Sequence, residues 1–354
     1  MNNRITNCIK LLKADNYDSF LISDPTNISY LTGFWNGDGY LLITTEGKLV
    51  YFTNFLYMQV AKKIKLWKLV ISEHGQNIFN LIADEARKYK CKNTAFEAKN
   101  LPFLEYKTLN ERFSENDIRF SGINDFIEKI RMIKDKDELC LIKKSIQVSK
   151  ETFAFASEIL DEKMSEKDLS IEIDKFLRLK ADNQLAFETI VACGKNTAYP
   201  HHKPTEKKIN RNFFLIDLGS KYYGYCADLT RVFFWGKMPL FLKKIYDTLR
   251  KAQDSSIKGI KEGITAAQLD SVARKIIEQG GWGKYFGHGL GHGIGLSVHE
   301  LPALCPNNNQ ILKEGMVVTI EPAVYFDNRF GMRLEDMVLI KQNYGEVLSG
   351  DIDR

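Results

Sequence analysis

The sequence lacks the features of a small disulfide-stabilised or membrane-bound protein. Its six cysteines are scattered without a CxxC pair along 354 residues, so we expect reduced thiols in a cytoplasmic protein. No apolar stretch is long enough to span a membrane. The first 21 residues mix lysine, asparagine and aspartate into the apolar positions, which argues against a signal peptide.

The chain also has little excess charge. Fifty basic and 45 acidic residues leave a formal net charge of +5, too small and too dispersed to indicate a polyanion-binding surface. We therefore expect neither a nucleic acid nor a membrane as a partner, and we interpret the lysine-rich run 203–208 as solvated surface. GHGLGHGIG does not match GxGxxG, and GxxxxGK is absent, so a phosphate-binding loop is not favoured.

The hydrophobic pattern predicts an α/β protein of two domains, residues 1–124 and 125–354, without a visible internal repeat. In the first domain we expect strands at 19–22, 40–44, 48–52 and 94–96 and helices at 7–12 and 77–90. Residues 125–160 predict one long helix or a broken pair of helices. Ser165 to Asp168 resembles a capping box, which would begin a helix ending near 180. Beyond it we expect strands at 187–192, 213–218, 227–234, 317–320 and 332–339, and helices at 240–259 and 266–279.

Histidine is scarce but concentrated. Five of the six histidines fall in two short segments, AYPHHKPT with His201 and His202, and FGHGLGHGIGLSVHE with His288, His292 and His299. A neutral imidazole can bind a metal or exchange a proton near neutral pH. The glycines around the second group would let the backbone pass close to a metal or a substrate. The clustering therefore indicates a single chemical site.

Four acidic residues lie in strand-like segments nearby in the sequence. A hairpin turning at Tyr222 and Tyr223 would place Asp217 opposite Asp228, and a hairpin centred on 327–329 would place Glu321 opposite Glu335. Carboxylates held that close repel one another unless a cation lies between them. Oxygen ligands beside imidazole suit a divalent transition metal. The alternatives left open are two exposed aspartates at strand ends, and a simple salt bridge from Arg333 to one glutamate.

Five ordered segments then carry a family resemblance. FETIVACGKNTAYPHHKPT, FLIDLGSKYYGYCADLTRVF, FGHGLGHGIGLSVHELP, GMVVTIEPAVY and GMRLEDMVLI resemble successive motifs of the Xaa-Pro peptidase family, which comprises aminopeptidase P and prolidase. NISYLTGF near the N-terminus is similar to the family's accessory domain. The resemblance implies an α/β (α+β) fold with an N-terminal creatinase-like domain and a C-terminal pita-bread catalytic domain. It also implies a homodimer and two divalent metal ions, Mn2+ first, with Co2+ or Zn2+ as alternatives.

The resemblance further assigns the metal ligands. It implies that Asp217 chelates one metal, that His292 and Glu321 chelate the other, and that Asp228 and Glu335 bridge both. Two cations that share an oxygen would lower the pKa of a water between them, and one cation would polarise the peptide carbonyl.

The same resemblance assigns the catalytic residues around the metals. Glu321 matches the family's proton-shuttling glutamate. His201, His288 and His299 match outer histidines that position the substrate and stabilise the tetrahedral intermediate. At the HisHis pair the pattern favours His201, which leaves His202 as a bystander.

The implied substrate is a peptide with proline at the second position. Two departures from the family pattern stand out: Ser297 replaces a frequent acid, and Ala303 stands where some prolidases carry an arginine for the carboxylate of a dipeptide. Arg329 could replace that arginine. These residues favour an Xaa-Pro aminopeptidase, with an Xaa-Pro dipeptidase as the alternative. A methionine aminopeptidase and a non-catalytic pita-bread binding protein are less favoured.

Overall fold

The computed structural model describes residues 3–35, 37–63, 68–209, 213–234 and 236–350. The chain divides into two compact units, Met1–Ile130 and Arg131–Arg354. The boundary drawn from the sequence, 124/125, lies shortly before this division, and residues 351–354 of the second predicted domain lie outside the described residues. Within the described ranges, no helix has the length and apolar character needed to cross a membrane.

The first unit is built on one mixed six-stranded sheet in the order β4-β3-β2-β1-β5-β6. The strands are β1 Ser19–Ile22, β2 Tyr40–Thr44, β3 Leu49–Asn54, β4 Lys68–Ser72, β5 Asn93–Glu97 and β6 Arg119–Ile123. The helices are α1 Asn3–Ala14, α2 Pro25–Thr32, α3 Met58–Ala61, α4 Ile78–Lys88 and α5 Phe103–Glu115, and α6 Phe126–Arg131 lies at the division between the units. β1 and β2 have the bounds expected from the sequence, whereas α5 was not expected.

Helices α4 and α5 cover one face of this sheet. Ile82 and Ala86 of α4 and Phe113 of α5 are buried in the same core as Leu21 and Phe52 of the strands. Each large apolar side chain buried in this way contributes about 1.5–3 kcal/mol. The first unit therefore has a hydrophobic core of its own.

In the described part of the second unit there are four long α-helices and several antiparallel sheets. The helices are α7 Lys136–Ile159, α8 Glu166–Lys180, α9 Leu240–Gly259 and α10 Ala266–Gln279. The first group of strands is β7 Ile190–Cys193, β8 Phe213–Leu218, β9 Lys221–Tyr222, β10 Tyr225–Cys226 and β11 Leu229–Phe234. The second group is β12 Gly291–Gly293, β13 Glu300–Leu304, β14 Val317–Ile320, β15 Ala323–Phe326, β16 Phe330–Arg333, β17 Asp336–Ile340 and β18 Gly345–Val347.

These elements form an internal structural repeat. α7–α8 and α9–α10 are each a long helix followed by a shorter one that begins with a capping box, at Ser165 and Thr265. Each of these two capping residues also forms an isolated bridge to an extended segment, at Lys208 and Ile311 respectively. The first half supplies the sheet β11-β8-β7, and the second supplies β13-β12-β14-β17-β18. The repeat was invisible in the sequence because backbone geometry, rather than residue identity, carries it.

The main core of the second unit lies between α9, α10 and the strands of the second half. Ile245, Leu249, Leu269 and Ile277 on the helices are buried together with Val318 of β14 and its neighbours. Apolar residues at helical spacing make a continuous stripe on one face of each helix, which explains why both helices were predicted with their observed bounds. This core holds the strands that carry the acidic residues.

The region 125–160 is the broken pair of helices that was one of the two expectations. α6 ends at Arg131 and α7 begins after Asp135, whose side chain accepts from the Glu138 backbone N–H while Glu138 accepts from the Asp135 N–H. The prediction of a single strand at 332–339 was wrong, because the chain forms two strands there, β16 and β17, which are separated at 334–335. Glu335 lies in that separation.

Candidate active site and metal centre

His292 lies on a strand whose neighbouring glycines allow an unusually close approach of backbone. β12 runs between β13 and β14. A Cβ on Gly291 would lie 2.1 Å from the Thr319 carbonyl oxygen, and one on Gly293 would lie 2.1 Å from the Leu301 carbonyl oxygen. No side chain other than hydrogen fits at either position. The glycines therefore let β12 pack closely against β13 and β14, and His292 is the one residue of β12 with a side chain.

The first hairpin brings Asp217 and Asp228 to the site in a register that differs from the expected one. The turn is centred on Tyr223 and Gly224, with φ of 47° and 82°, so β8 pairs with β11 such that Asp217 lies opposite Thr230. A two-residue hairpin turn with positive φ at both central residues favours glycine, and Gly224 sets its place. The predicted pairing with Asp228 was therefore wrong by two residues. Because strand side chains alternate with a period of two, this shift keeps the two aspartates on one face.

The second hairpin has the register that the sequence predicts. Ile320 pairs with Asp336 in one ladder and Ala323 with Arg333 in the next, so Glu321 and Glu335 fall opposite each other between the two ladders. Pro322 lies in the same gap and has no N–H to donate to a ladder. The interruption separates both glutamates from regular strand pairing, and both are found at one cavity.

The carboxylates converge on the imidazole of His292. Its Nε2 lies 3.3 Å from Glu321 Oε1 and 3.6 Å from Asp228 Oδ2. One ligand atom from each of Asp228, His292 and Glu335 lies within 4.8 Å of the other two. His292 Nδ1 is 3.0 Å from the Gly293 carbonyl oxygen, which can only accept a hydrogen bond. Nδ1 therefore carries the hydrogen, and Nε2 is left with a lone pair facing the carboxylates.

Arg333 organises the other side of the cluster. Its NH2 group contacts Asp217 Oδ2, its Nε donates to Thr230 Oγ1 at 2.9 Å, and its NH1 donates to the Tyr325 hydroxyl at 2.6 Å. Since Thr230 Oγ1 accepts from Arg333, its own hydrogen points to Glu335 Oε2 at 2.6 Å. The alternative interpretation paired Arg333 with a glutamate, but its carboxylate partner is Asp217.

Burial makes this concentration of negative charge costly. Desolvation raises the pKa of Asp228 well above its usual range, and the charges of Glu335, Asp217 and Glu321 raise it further. The pKa of Glu335 is likewise well above its usual range, first because of burial and then because of Glu321 and Asp217. Burial raises the pKa of Glu321 to about 7, although Arg333 opposes the rise. Fully ionised, four carboxylates against one guanidinium leave three negative charges unbalanced.

Two further histidines face the same space. His299 lies with its ring centroid 4.3 Å from that of His292. His288 Nδ1 is 2.7 Å from the Gly289 carbonyl oxygen, and its buried Nε2 has no partner among the described residues. Burial lowers the pKa of His288, His292 and His299, that of His292 to about 4. These imidazoles are therefore neutral near pH 7.

The adjacent pair His201 and His202 has two different environments. His202 Nε2 lies 2.9 Å from Glu166 Oε2, and this fully buried carboxylate also accepts from the backbone N–H of Cys193 and the hydroxyl of Thr205. His201 is exposed and lies at the cavity. Both residues line the cavity, but the ring of His202 is tied to a structural hydrogen-bond network, whereas His201 is exposed.

The departure at Ser297 lies outside the residues that line the cavity. Its hydroxyl is 3.2 Å from a guanidinium nitrogen of Arg131, which also pairs with Glu300. Lys134 lies 3.4 Å from the second oxygen of Glu300, and all three charged side chains are buried. Ser297 therefore belongs to an ion cluster behind the loop that carries His299.

A cavity of about 700 Å³ collects these groups. All eight residues that the sequence assigns to the site line it: His201, Asp217, Asp228, His288, His292, His299, Glu321 and Glu335. Sequence analysis missed Glu188, Lys203 and Tyr325, which also line it, and the role of Thr230. Tyr325 follows Glu321 by four residues, so proximity to that glutamate was the available signal for it.

The donor set fits divalent cations. Four carboxylates and one neutral imidazole nitrogen are hard and borderline ligands of the kind that Mn2+, Co2+ and Zn2+ accept. The buried Oδ1 of Asp217 has no hydrogen-bond partner among the described residues. A buried acceptor without a donor costs free energy, and a cation would remove that cost. The three unbalanced negative charges point the same way.

Comparisons with known proteins agree with this site. Metallopeptidase family M24 matches residues 140–342, and the creatinase/prolidase N-terminal domain matches residues 4–133. An Xaa-Pro dipeptidase of Pyrococcus furiosus is 32% identical over 347 residues, 97% of this chain and 96% of that protein. The fold of an Xaa-Pro dipeptidase from Bacillus anthracis is similar with a TM-score of 0.93 at 30% identity, covering 99% of this chain and 98% of that one. The crystal structure of an X-Pro aminopeptidase from Thermotoga maritima has a TM-score of 0.88 at 32% identity, covering 98% of each chain.

The expected fold class, α/β with a creatinase-like domain followed by a pita-bread domain, is confirmed. The family match extends over more than half of the chain, and the sequence similarity extends over nearly all of it. The chain therefore belongs to metallopeptidase family M24.

Proposed function

We propose that the protein is an Xaa-Pro dipeptidase that hydrolyses the bond before proline in a dipeptide. The observation that carries the proposal is the convergence of four buried carboxylates and His292 in one cavity that is also lined by His201, His288 and His299. The similar proteins named Xaa-Pro dipeptidase favour this activity over the aminopeptidase that Ala303 suggested in the sequence. Our first preference between these two activities is therefore reversed.

In this proposal the ligand roles follow the family pattern. Asp217 would hold one divalent ion, His292 and Glu321 would hold the other, and Asp228 and Glu335 would contribute oxygens to both. The geometry that supports it is the lone pair of His292 Nε2 beside Glu321 and Asp228, at 3.3 and 3.6 Å. When bound, the ions would supply hydroxide at neutral pH and polarise the peptide carbonyl.

The protein groups around the cluster then handle protons and orientation. Glu321 takes the proton of the attacking water and passes it to the leaving proline nitrogen. The Thr319 hydroxyl donates to Glu321 at 3.2 Å and accepts from the backbone N–H of His292 at 3.0 Å. This pair of hydrogen bonds fixes the position of the Glu321 carboxylate relative to the residue that carries the imidazole. Arg333 similarly orients Asp217, and Thr230 orients Glu335.

The outer histidines act on the substrate. We propose that His299 stabilises the negative charge that develops on the carbonyl oxygen, and that His201 and His288 help to position the substrate. The unpartnered Nε2 of His288 supports a positioning role: because Nδ1 donates to the Gly289 carbonyl and the ring is neutral, Nε2 can accept a hydrogen bond from the substrate. The role of His202 as a bystander is consistent with its hydrogen bond to Glu166.

Apolar residues of the cavity suit a proline ring. Phe187, Ile190 and Val298 line it together with Pro200 and Pro204. The tertiary amide before proline has no N–H, so a site that selects it must recognise the ring rather than a hydrogen-bond donor. We further propose manganese as the metal, a homodimer as the assembly and the cytoplasm as the location, all of which rest on the sequence-based expectations.

The test is cleavage of Ala-Pro beside Ala-Pro-Ala by the full chain with added Mn2+. A dipeptidase should show the higher kcat/KM on Ala-Pro, and a Met-Ala peptide should be a poor substrate. Hydrolysis of neither proline peptide by a folded protein that contains metal would refute the proposal.

The second candidate is an Xaa-Pro aminopeptidase. Ala303, an exposed cavity residue with no charge, supports it, as does the similarity to the X-Pro aminopeptidase of Thermotoga maritima. It predicts preference for Ala-Pro-Ala, so the same assay separates the two.

A further inference from the structure

The cavity contains few positive groups that could bind an anion. Among the described residues that line it, only Arg333 and Lys203 carry a permanent positive charge. Arg333 is buried and already bonded to Asp217, Thr230 and Tyr325. Arg329, which the sequence suggested as a substitute cation, is exposed on the loop between β15 and β16 and is not among the lining residues.

Lys203 differs from Arg333 in both respects. It is exposed, and its ammonium has no hydrogen-bond or salt-bridge partner among the residues that the structure describes. Lys203 is exposed to solvent, as expected for the run 203–208, and it also lies at the cavity. Lys207 and Lys208, by contrast, bind the Cys193 carbonyl oxygen and Asp168.

The local backbone keeps Lys203 along the cavity wall. Residues 200–204 all line the cavity, with prolines at both ends of the segment. A residue that precedes proline is restricted to extended conformations, and Lys203 precedes Pro204. Lys203 is two residues from His201, and two residues span at most about 7 Å, so both lie on the same stretch of the cavity wall.

An Xaa-Pro dipeptide carries a negative charge, its C-terminal carboxylate, close to the bond that is cut. Its C-terminal carboxylate lies about one residue, at most roughly 3.6 Å, beyond the bond that is cut. Moving that carboxylate out of water costs free energy unless a positive group pairs with it, and a cation serves this role best when it has no other partner. The flexible four-carbon stem of a lysine can reach such a group from the rim of a cavity.

We propose that Lys203 binds the free C-terminal carboxylate of the substrate and so selects peptides that end at proline. The inference rests on the proposed dipeptidase activity and deepens it, because it names the charge that distinguishes a dipeptide from a longer chain. Lys203 is a specificity-determining residue in this proposal and takes no part in proton transfer.

The experiment pairs a charge on the enzyme with a charge on the substrate. Wild type, Lys203→Ala and Lys203→Arg are assayed with added Mn2+ on Ala-Pro and on Ala-prolinamide, which lacks the carboxylate. We expect Lys203→Ala to raise KM for Ala-Pro by about tenfold with little change in kcat, since a charge-assisted contact of this size is lost. KM for Ala-prolinamide should stay unchanged, and Lys203→Arg should recover most of the loss on Ala-Pro.

A matched control comes from the same run of lysines. Lys208 does not line the cavity and pairs with Asp168 on the surface, so Lys208→Ala should leave both substrates unaffected. Added salt should raise KM for Ala-Pro in wild type more than in Lys203→Ala. Circular dichroism of each variant establishes that it is folded, as expected for a change at an exposed side chain.

The outcomes separate the two proposals. If wild type cleaves neither substrate, the proposed function fails and this inference fails with it. If wild type cleaves Ala-Pro but Lys203→Ala changes KM for neither substrate, or changes it equally for both, only the inference is overturned. An unchanged KM would mean that another group of the cavity binds the carboxylate.

Discussion

The glycine that follows His292 offers the sharpest test of how this site is built. In Gly293→Ala, the added methyl group would lie 2.1 Å from the Leu301 carbonyl oxygen and 2.5 Å from its carbonyl carbon. Both atoms belong to the backbone of β13, so no rotation of a side chain relieves the contact. β13 must move by about 1 Å before the methyl group is accommodated.

The expected cost follows from this geometry. Overpacking against a rigid neighbour lowers the free energy of unfolding by about 1–3 kcal/mol. Because the pairing of β12 with β13 is also disturbed here, we expect a loss of about 3 kcal/mol. For a unit of this size each kcal/mol lowers Tm by about 2–4 °C, which gives a fall of about 6–12 °C. Because His292 is next to the substituted residue, we also expect the purified variant to contain less metal than wild type.

Gly287→Ala is the matched control. Gly287 belongs to the same glycine-rich segment, but a Cβ there meets no atom within 4 Å. Thermal unfolding by calorimetry and metal content by mass spectrometry are compared for both variants and wild type. A Tm for Gly293→Ala within 1–2 °C of wild type, or an equal loss in both variants, would show that close strand packing does not explain these glycines.

Three further predictions concern single residues. Asp228→Ala should lose one or both metal equivalents, and retention of two metals with full activity would contradict its bridging role. His299→Ala should lower kcat by about 10²–10³-fold with the metals retained, so loss of metal would mean that it is a ligand. Burial raises the pKa of Glu97 to about 7, although hydrogen bonds from Asn27 and the backbone of Ser23 and Asp24 oppose the rise. The folded state thus binds this proton more tightly than the unfolded state, and the free energy of unfolding should fall by up to about 3 kcal/mol as pH rises from about 4.5 to 7. Urea unfolding of the full chain and of Glu97→Gln measures this, and an identical pH slope in both would exclude Glu97 as the cause.

The sequence predicted much of the fold where the hydrophobic period was strong. The two helices α9 and α10, and the strands β8 and β14, have the bounds that the pattern predicts. The register of the Glu321–Glu335 hairpin was also predictable, because it is symmetric about one short loop. Where two signals competed, the prediction was wrong: Gly224, rather than the centre of the tyrosine pair, sets the turn between Asp217 and Asp228.

Other features had no sequence signal of their own. The break between β16 and β17 at 334–335 lies in the segment 332–339, which the sequence analysis interpreted as one strand because apolar residues flank its charged centre. The alternative interpretation paired Arg333 with a glutamate, which is near it in sequence, whereas its partner Asp217 is 116 residues away. Lys203 looked like any other lysine of its run, because nothing local indicates which side chains of an extended segment face a cavity.

The sequence alone determined the chemical inventory of this protein: four acids and a set of histidines, carried by ordered motifs, with glycines at positions where no side chain fits. Residue types and spacing decide these features, because local backbone conformation and ligand chemistry depend on them directly. Only the tertiary structure decided which of these side chains are bonded to other residues and which are available to a ligand. It tied Asp217 to Arg333 and His202 to Glu166, turned His292 Nε2 toward Glu321 and Asp228, and left the Lys203 ammonium without a partner among the described residues. The reason is physical: whether a charged or polar group is bonded internally or available to a ligand depends on contacts between segments that are distant in the chain.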